Sequence, residues 1–205
     1  MTTPPIAIAE VLRPLRAATH ELHERLDRRL PIAREDATLA DYAAHLRALR
    51  PWLQSLREAL AAPGLPGLDR AAARADRRLA ALVLDLDDLD DIGARLDGTA
   101  PARGADASPG LAQEAARTPA FAWGLAYVLE GSQLGGAAMH KRLGPRFAPH
   151  PMRYFQPPGA PGSMAAQWKD FVSQLGAALA DTASVEAARR GAVAGFRSLL
   201  PRFGL

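Results

Sequence analysis

Apolar residues along this chain recur at intervals of three and four and no segment sustains alternation, so helices are the expected elements throughout. Alanine and leucine dominate and β-branched residues are few, which favours the same reading. Leu12, Leu15, Leu22, Leu26 and Leu30 predict a first helix over about 8–30. Thr38, with Asp41 three residues on, can cap a second that runs to about 61 and is expected to kink at Pro51. After the Pro-Gly-Leu-Pro-Gly break at 63–67, a third helix spans about 69–84. The acidic stretch 85–91, with five Asp residues, reads as a connector. The Gly-, Ala- and Pro-rich 98–109 reads as a loop. Thr118 and Pro119 then supply an N-cap and a first-position proline for a helix continuing to about 143. Residues 144–162 hold six prolines and predict a long non-helical crossing, followed by helices over about 163–181 and 184–203. No internal repeat is visible. The pattern predicts an all-α fold in a single domain over 1–205, with 1–7 a flexible N-terminus.

Composition narrows the chemistry. A chain of 205 residues, 48% hydrophobic, can build one substantial core. With no cysteine, a disulfide framework, thiolate metal ligation and a Cys nucleophile are all excluded. The formal charge of +3 comes from arginines scattered among Ala and Leu without aromatic interleaving, which predicts solvated helix faces and no nucleic-acid surface. The start Met-Thr-Thr-Pro-Pro lacks a signal-peptide pattern, and no apolar run approaches the roughly 20 residues that span a bilayer. A cytoplasmic protein with no membrane partner is expected. Residues 85–91 lack the glycine turn and closing Glu of an EF-hand loop, so no calcium site is expected there.

Two segments carry candidate chemistry. In Thr19-His20-Glu21-Leu22-His23, at about 100° per residue, His23 falls near 60° from the centre of the apolar stripe and His20 near 120°. A ligand facing a cavity is therefore expected at His23, although a histidine on that shoulder also suits a simple edge hydrogen bond. No Glu sits between two His at i, i+4, so a zincin site is unsupported. Arg16 lies two turns before His23 on nearly the same stripe, roughly 10 Å along the axis. That separation suits an arginine reaching a carboxylate at the edge of a flat metal-bearing ligand held by His23.

The second segment runs from Tyr127 to Gly136 and places Gly131, Gly135 and Gly136 inside a helix, each costing up to about 1 kcal/mol relative to alanine. Close helix packing is one explanation. The other is a flat ligand against the backbone, with Ser132 a small polar group beside it and the helix bent where its amides approach the ligand.

Taken together the chain resembles the bacterial, biliverdin-forming haem oxygenases. Residues 16–23 resemble the proximal helix, with the axial histidine at His23. Residues 127–136 resemble the distal helix with its Glu-Gly-Ser-x-Leu-Gly core, and Gln167-Trp168-Lys169-Asp170-Phe171-Val172, about 30 residues later, resembles a helix that closes over the haem. The match covers most of the chain in family order. Where animal members carry an Asp after the first distal glycine, this chain has Ser132, so proton delivery is expected to run through water.

The resemblance implies a helical bundle with haem, substrate and cofactor at once, between the first helix and a glycine-kinked distal helix. It further implies cleavage to biliverdin, carbon monoxide and ferrous iron with dioxygen. Gly131, Ser132, Gly135 and Gly136 would line the oxygen side. Arg16, Tyr127, Lys141, Lys169 and Phe171 would contact the haem, and His23 would hold the iron. No flavin or nicotinamide fingerprint is present, so electrons are expected from a ferredoxin or flavoprotein reductase, and a bacteriophytochrome is a candidate biliverdin acceptor. A haem carrier or sensor without turnover is the alternative. A thiamine-salvage enzyme of related fold would need a nucleophile, typically Cys, that this chain lacks.

Overall fold

The structure, a computed structural model, describes residues 7–62, 64–93, 110–157, 159 and 162–205. Among them are seven α-helices: α1 (Ile8–Arg29), α2 (Leu39–Leu60), α3 (Asp69–Gly93), α4 (Gly110–Arg117), α5 (Pro119–Phe147), α6 (Ser163–Ala178) and α7 (Thr182–Leu199). Short 3-10 turns at Pro31–Ala33 and Leu200–Phe203 follow α1 and α7. No described helix is long and apolar enough to cross a membrane. The expected N-terminal tail over 1–7, apart from Ala7, and the expected loop over 98–109 lie outside the described residues.

Local signals account for several helix ends. Thr38 and Asp41 form a capping box: the Asp41 amide donates to the Thr38 hydroxyl at 3.2 Å, and the Thr38 amide donates to the Asp41 carboxylate at 2.8 Å. Asp181 and Ser184 do the same for α7. Thr118 is the N-cap residue of α5 with Pro119 at the first position, but its hydroxyl turns to Glu114 instead of capping. The helix α2 continues through Pro51, and α5 continues through its glycines and Pro145 to Phe147, four residues beyond the expected end.

Two expectations are corrected. The acidic stretch 85–91 is not a connector; it is the last part of α3. Leu82, Leu86 and Leu89 keep the buried stripe going at helical spacing, while Asp87, Asp90 and Asp91 face solvent. Asp85 falls on the buried stripe and is fully buried. The helix α4 was not expected; its buried Leu111 and Ala115 recur one turn apart and dock it on α2 and α5.

One continuous core joins the helices, and the most extensive pairing is α5 against α7. Gly124 and Gly191 permit it, since a Cβ at Gly124 would overlap the Ala188 carbonyl and one at Gly191 the Phe121 carbonyl. The indole of Trp52 ties α2 to α7 by donating to Gly195 O at 2.9 Å. Also, α1 packs on α7 and α6. This frame leaves α1 and the later part of α5 facing each other across a gap.

Candidate functional site

The gap is a cavity of about 440 Å³, within the range usual for small-molecule sites. From α1 it receives Arg16, Thr19, His23, Leu26 and Asp27, and from α5 Tyr127, Gly131, Ser132, Gly135 and Gly136. Trp168 of α6, His45 and Trp52 of α2, and Phe196 and Phe203 near the C-terminus also line it.

Burial, ring contacts and helix geometry give the slot two ends. At one, the Tyr127 phenol stands beside Arg16 and Thr19 and its ring packs 6.0 Å from Trp168. Burial raises the Tyr127 pKa, against the pull of the Arg16 cation. At the other, Arg142 of α5 donates to the carbonyls of Ile32 and Ala33 just beyond α1. The two helices therefore run side by side in the same direction. Seven residues on from the Arg16–Tyr127 level, His23 stands opposite the span from Gly131 to Gly135.

His23 sits on the shoulder of α1 with its side chain 60% exposed. Its Nδ1 lies 2.8 Å from Asp27 Oδ2 one turn on, and its ring meets Phe196 edge-on. A carboxylate on Nδ1 fixes the tautomer that leaves the Nε2 lone pair free for a metal. His20 is 70% exposed, pairs with Glu24, and does not line the slot.

The opposite wall is bare. A Cβ built at Gly131 or at Gly135 meets nothing within 4 Å, while one at Gly136 approaches Phe155 Cδ1 at 3.2 Å. Gly124, earlier on the same helix, is filled by the neighbouring backbone. Helix packing therefore explains Gly124 and does not explain Gly131 or Gly135. The helix runs unbroken through these glycines.

Three expected contacts are not brought together with the rest. Lys141 and Lys169 are exposed and do not line the slot. Phe171 is buried behind Trp168, with ring centroids 5.7 Å apart, and packs on Trp123, so Trp168 takes the place expected for it.

Other residues enter the site that the sequence did not single out. Arg78 of α3 lines the slot and donates to Ser132 Oγ at 3.0 Å, to Leu129 O at 3.0 Å and to the Tyr154 hydroxyl at 2.7 Å. Glu130 of the glycine motif points away from the slot and is buried against Arg74 at 2.6 Å. Burial raises its pKa and the Arg74 cation opposes that. His45 stacks on Phe203 at 5.2 Å and lies 5.6 Å from Phe155; its Nδ1 is buried without a hydrogen-bond partner, and desolvation pushes its pKa down to about 4. Asp27 carried one usable signal, its i, i+4 spacing from His23, and Glu130 belongs to the glycine motif itself; Arg78 and His45 come from distant parts of the chain.

Asp85, Asp88 and His150 also bring three potential ligand atoms within 4.8 Å of one another. A metal does not suit them. Arg153 donates to both carboxylates, and His150 Nδ1 accepts from the Met152 amide, which puts the ring proton on Nε2.

The residues of the slot fit a haem: a histidine with Nε2 free, an arginine two turns away, open space against the backbone at Gly131 and Gly135, and a largely apolar surround. Comparison with known proteins agrees. The heme oxygenase family model matches residues 9–200. The fold is similar to that of heme oxygenase from Neisseria meningitidis, solved in NO- and CO-bound forms, with 22% identity over 95% of this chain and 92% of that one and a TM-score of 0.63. Comparison with curated protein sequences gives no match.

Proposed function

The chain belongs to the heme oxygenase family, and on that premise we propose that its slot takes one haem and that the protein opens the ring to biliverdin, carbon monoxide and ferrous iron. Haem, when bound, supplies the redox-active iron and is itself the ring that is opened. His23 would hold the iron through Nε2, with the Asp27 carboxylate 2.8 Å from its Nδ1 orienting the ring. Arg16, beside Tyr127 at one end of the slot, would hold a propionate by charge-assisted hydrogen bonds. Gly131 and Gly135 keep the opposite face free of side-chain ligands so that dioxygen has room. We read residues 1–205 as one domain with this single task. Electrons come from a ferredoxin or flavoprotein reductase, and a bacteriophytochrome is a fitting acceptor of the product.

The observation that carries this reading is the bare wall opposite His23. Glycines inside a helix cost stability, and no neighbouring group occupies the space that Gly131 and Gly135 leave. The test is a hemin titration of the apo protein. One hemin per chain with a histidine-ligated spectrum is expected, lost in His23→Ala and kept in His20→Ala. The reverse pattern would contradict the assignment.

A further inference from the structure

The glycine wall has no acid, and the hydroxyl of Ser132 is already committed. It donates to Leu129 O at 2.7 Å and accepts from Arg78 Nη1 at 3.0 Å. The other arm of the same guanidinium donates to the hydroxyl of Tyr154 at 2.7 Å, with the guanidinium carbon 4.9 Å from the centre of that ring. The phenol oxygen thus accepts from a cation and keeps its own proton, for which there is no acceptor among the described residues. Tyr154 lines the slot on the side of Ser132 and Gly136, across from His23.

Tyr154 also lines a second cavity of about 460 Å³. Four arginines face that space, Arg74, Arg77, Arg78 and Arg153, and among the described residues no carboxylate does. Arg78, Gly136, Tyr154 and Phe155 line both cavities and form the partition between them.

The partition is held firmly. The amides of Arg153 and Tyr154 donate to the buried Asp85 carboxylate at 3.1 and 2.8 Å, and the Tyr42 hydroxyl donates to it at 2.6 Å. Met152, fully buried, is kept in the left-handed region at φ 50°, a cost that persists only where the surroundings dictate the backbone.

We propose that Tyr154 is the proton donor of the slot: held by Arg78, its O–H gives a hydrogen bond and then its proton to dioxygen being reduced on the glycine side. In that step the phenol O–H bond breaks and an O–H bond forms on the oxygen, which takes its electrons from the external ferredoxin or flavoprotein reductase, none of them passing through the residue. The phenolate left behind keeps its contact with Arg78, and a new O–H bond forms with a proton from water in the arginine-lined cavity. The inference rests on the haem-binding reading above and names the group that replaces an acid on the distal helix. Burial raises the Tyr154 pKa and the Arg78 cation opposes it, so the phenol is protonated at neutral pH. The charged and titratable groups around it are Arg74, Arg77, Arg78 and Asp85 from α3, Tyr42 and His45 from α2, Glu130 from α5, and Arg153 beside it.

The test uses the ferric haem complex of the whole chain and its Tyr154→Phe variant, which removes one hydroxyl and keeps the ring. A donor to a distal hydroxide favours the deprotonated form. The alkaline transition of the ferric spectrum is therefore expected to move up in Tyr154→Phe by roughly half a unit to one unit. Biliverdin formation is expected to fall roughly 10²-fold, the lower end for loss of a general acid. An unchanged midpoint together with an unchanged rate overturns the proposal. If Tyr154→Phe does not fold, Arg78→Lys moves the donor that fixes the phenol and should shift the midpoint in the same direction; an unmoved midpoint there overturns it equally. A wild-type protein that gives no histidine-ligated spectrum would overturn the haem-binding reading instead, so the two failures are distinct.

Discussion

His23 Nδ1 lies 2.8 Å from Asp27 Oδ2, one turn further along α1. The pair orients the imidazole and raises its basicity, which is how carboxylates behind metal-binding histidines act. Asp27→Ala is expected to weaken hemin affinity by about 10–100-fold while keeping a histidine-ligated spectrum. Glu24→Ala, removing the matching partner of His20, should change neither. Equal hemin affinity in wild type and Asp27→Ala would dissociate the pair from haem binding.

The glycines of α5 separate into two kinds, and substitutions should separate them experimentally. Gly131→Ala adds a methyl where nothing lies within 4 Å, so the apo protein should be unchanged or stabilised by up to about 1 kcal/mol. Gly135→Leu should likewise spare the apo fold and sharply lower hemin affinity or biliverdin yield. Gly124→Ala drives a methyl into the Ala188 carbonyl, and should destabilise by about 1–3 kcal/mol or more. Chemical denaturation of the apo proteins, set beside hemin titration, checks both directions. A Gly135→Leu protein with a weakened apo fold and normal haem chemistry would assign that glycine to packing.

His45 gives the apo protein an acid dependence. Its pKa in the folded chain, about 4, lies below the ordinary histidine value of 6.5 because burial disfavours the charged ring. Between these values the unfolded chain binds more protons than the folded one, so stability falls as the pH falls from 6.5 toward 4. Between pH 7 and pH 5 the loss from this residue should be up to about 2 kcal/mol. His45→Phe, whose ring suits the stack between Phe155 and Phe203, should lack that part of the loss. Urea unfolding at the two pH values measures it, and parallel losses in both proteins would contradict it.

Asp85 satisfies the hydroxyl of Tyr42 and two backbone amides from inside the core. Asp85→Ala should destabilise the protein by about 3 kcal/mol or more, because those donors stay buried without an acceptor. A melting temperature within two or three degrees of wild type, about 1 kcal/mol for a chain of this size, would show that the segment finds other partners.

Features written in local periodicity were legible in the sequence. His23 and Arg16 follow from one helical stripe on α1, the start of α2 from Thr38 and Asp41, and the glycine wall from three residues that weaken their own helix. Where the structure differs from the expectation, the causes are identifiable. The run 85–91 looked like a connector because five aspartates obscure the spacing of Leu82, Leu86 and Leu89. Charge does not tell which way a helix face turns, and Lys141 and Lys169 are exposed and outside the lining of the slot. Phe171 and Trp168 lie one turn apart, and only the packing of α6 decides which reaches the slot. Arg78, Tyr154 and His45 come from three separate segments, so nothing in their own neighbourhoods marked them. Ser132 was visible as a missing acid, but Arg78 and Tyr154, which stand beside it, were not.

The most direct measurement supplies electrons to the haem complex in air and identifies the pigment. With a ferredoxin and its reductase, or with ascorbate, the Soret band should disappear while biliverdin, carbon monoxide and chelatable ferrous iron are formed. With NADPH alone nothing should turn over, since the sequence carries no nicotinamide or flavin fingerprint. A stable oxygenated ferrous complex that never loses its ring, under the same electron supply, would contradict the account and make the protein a haem carrier.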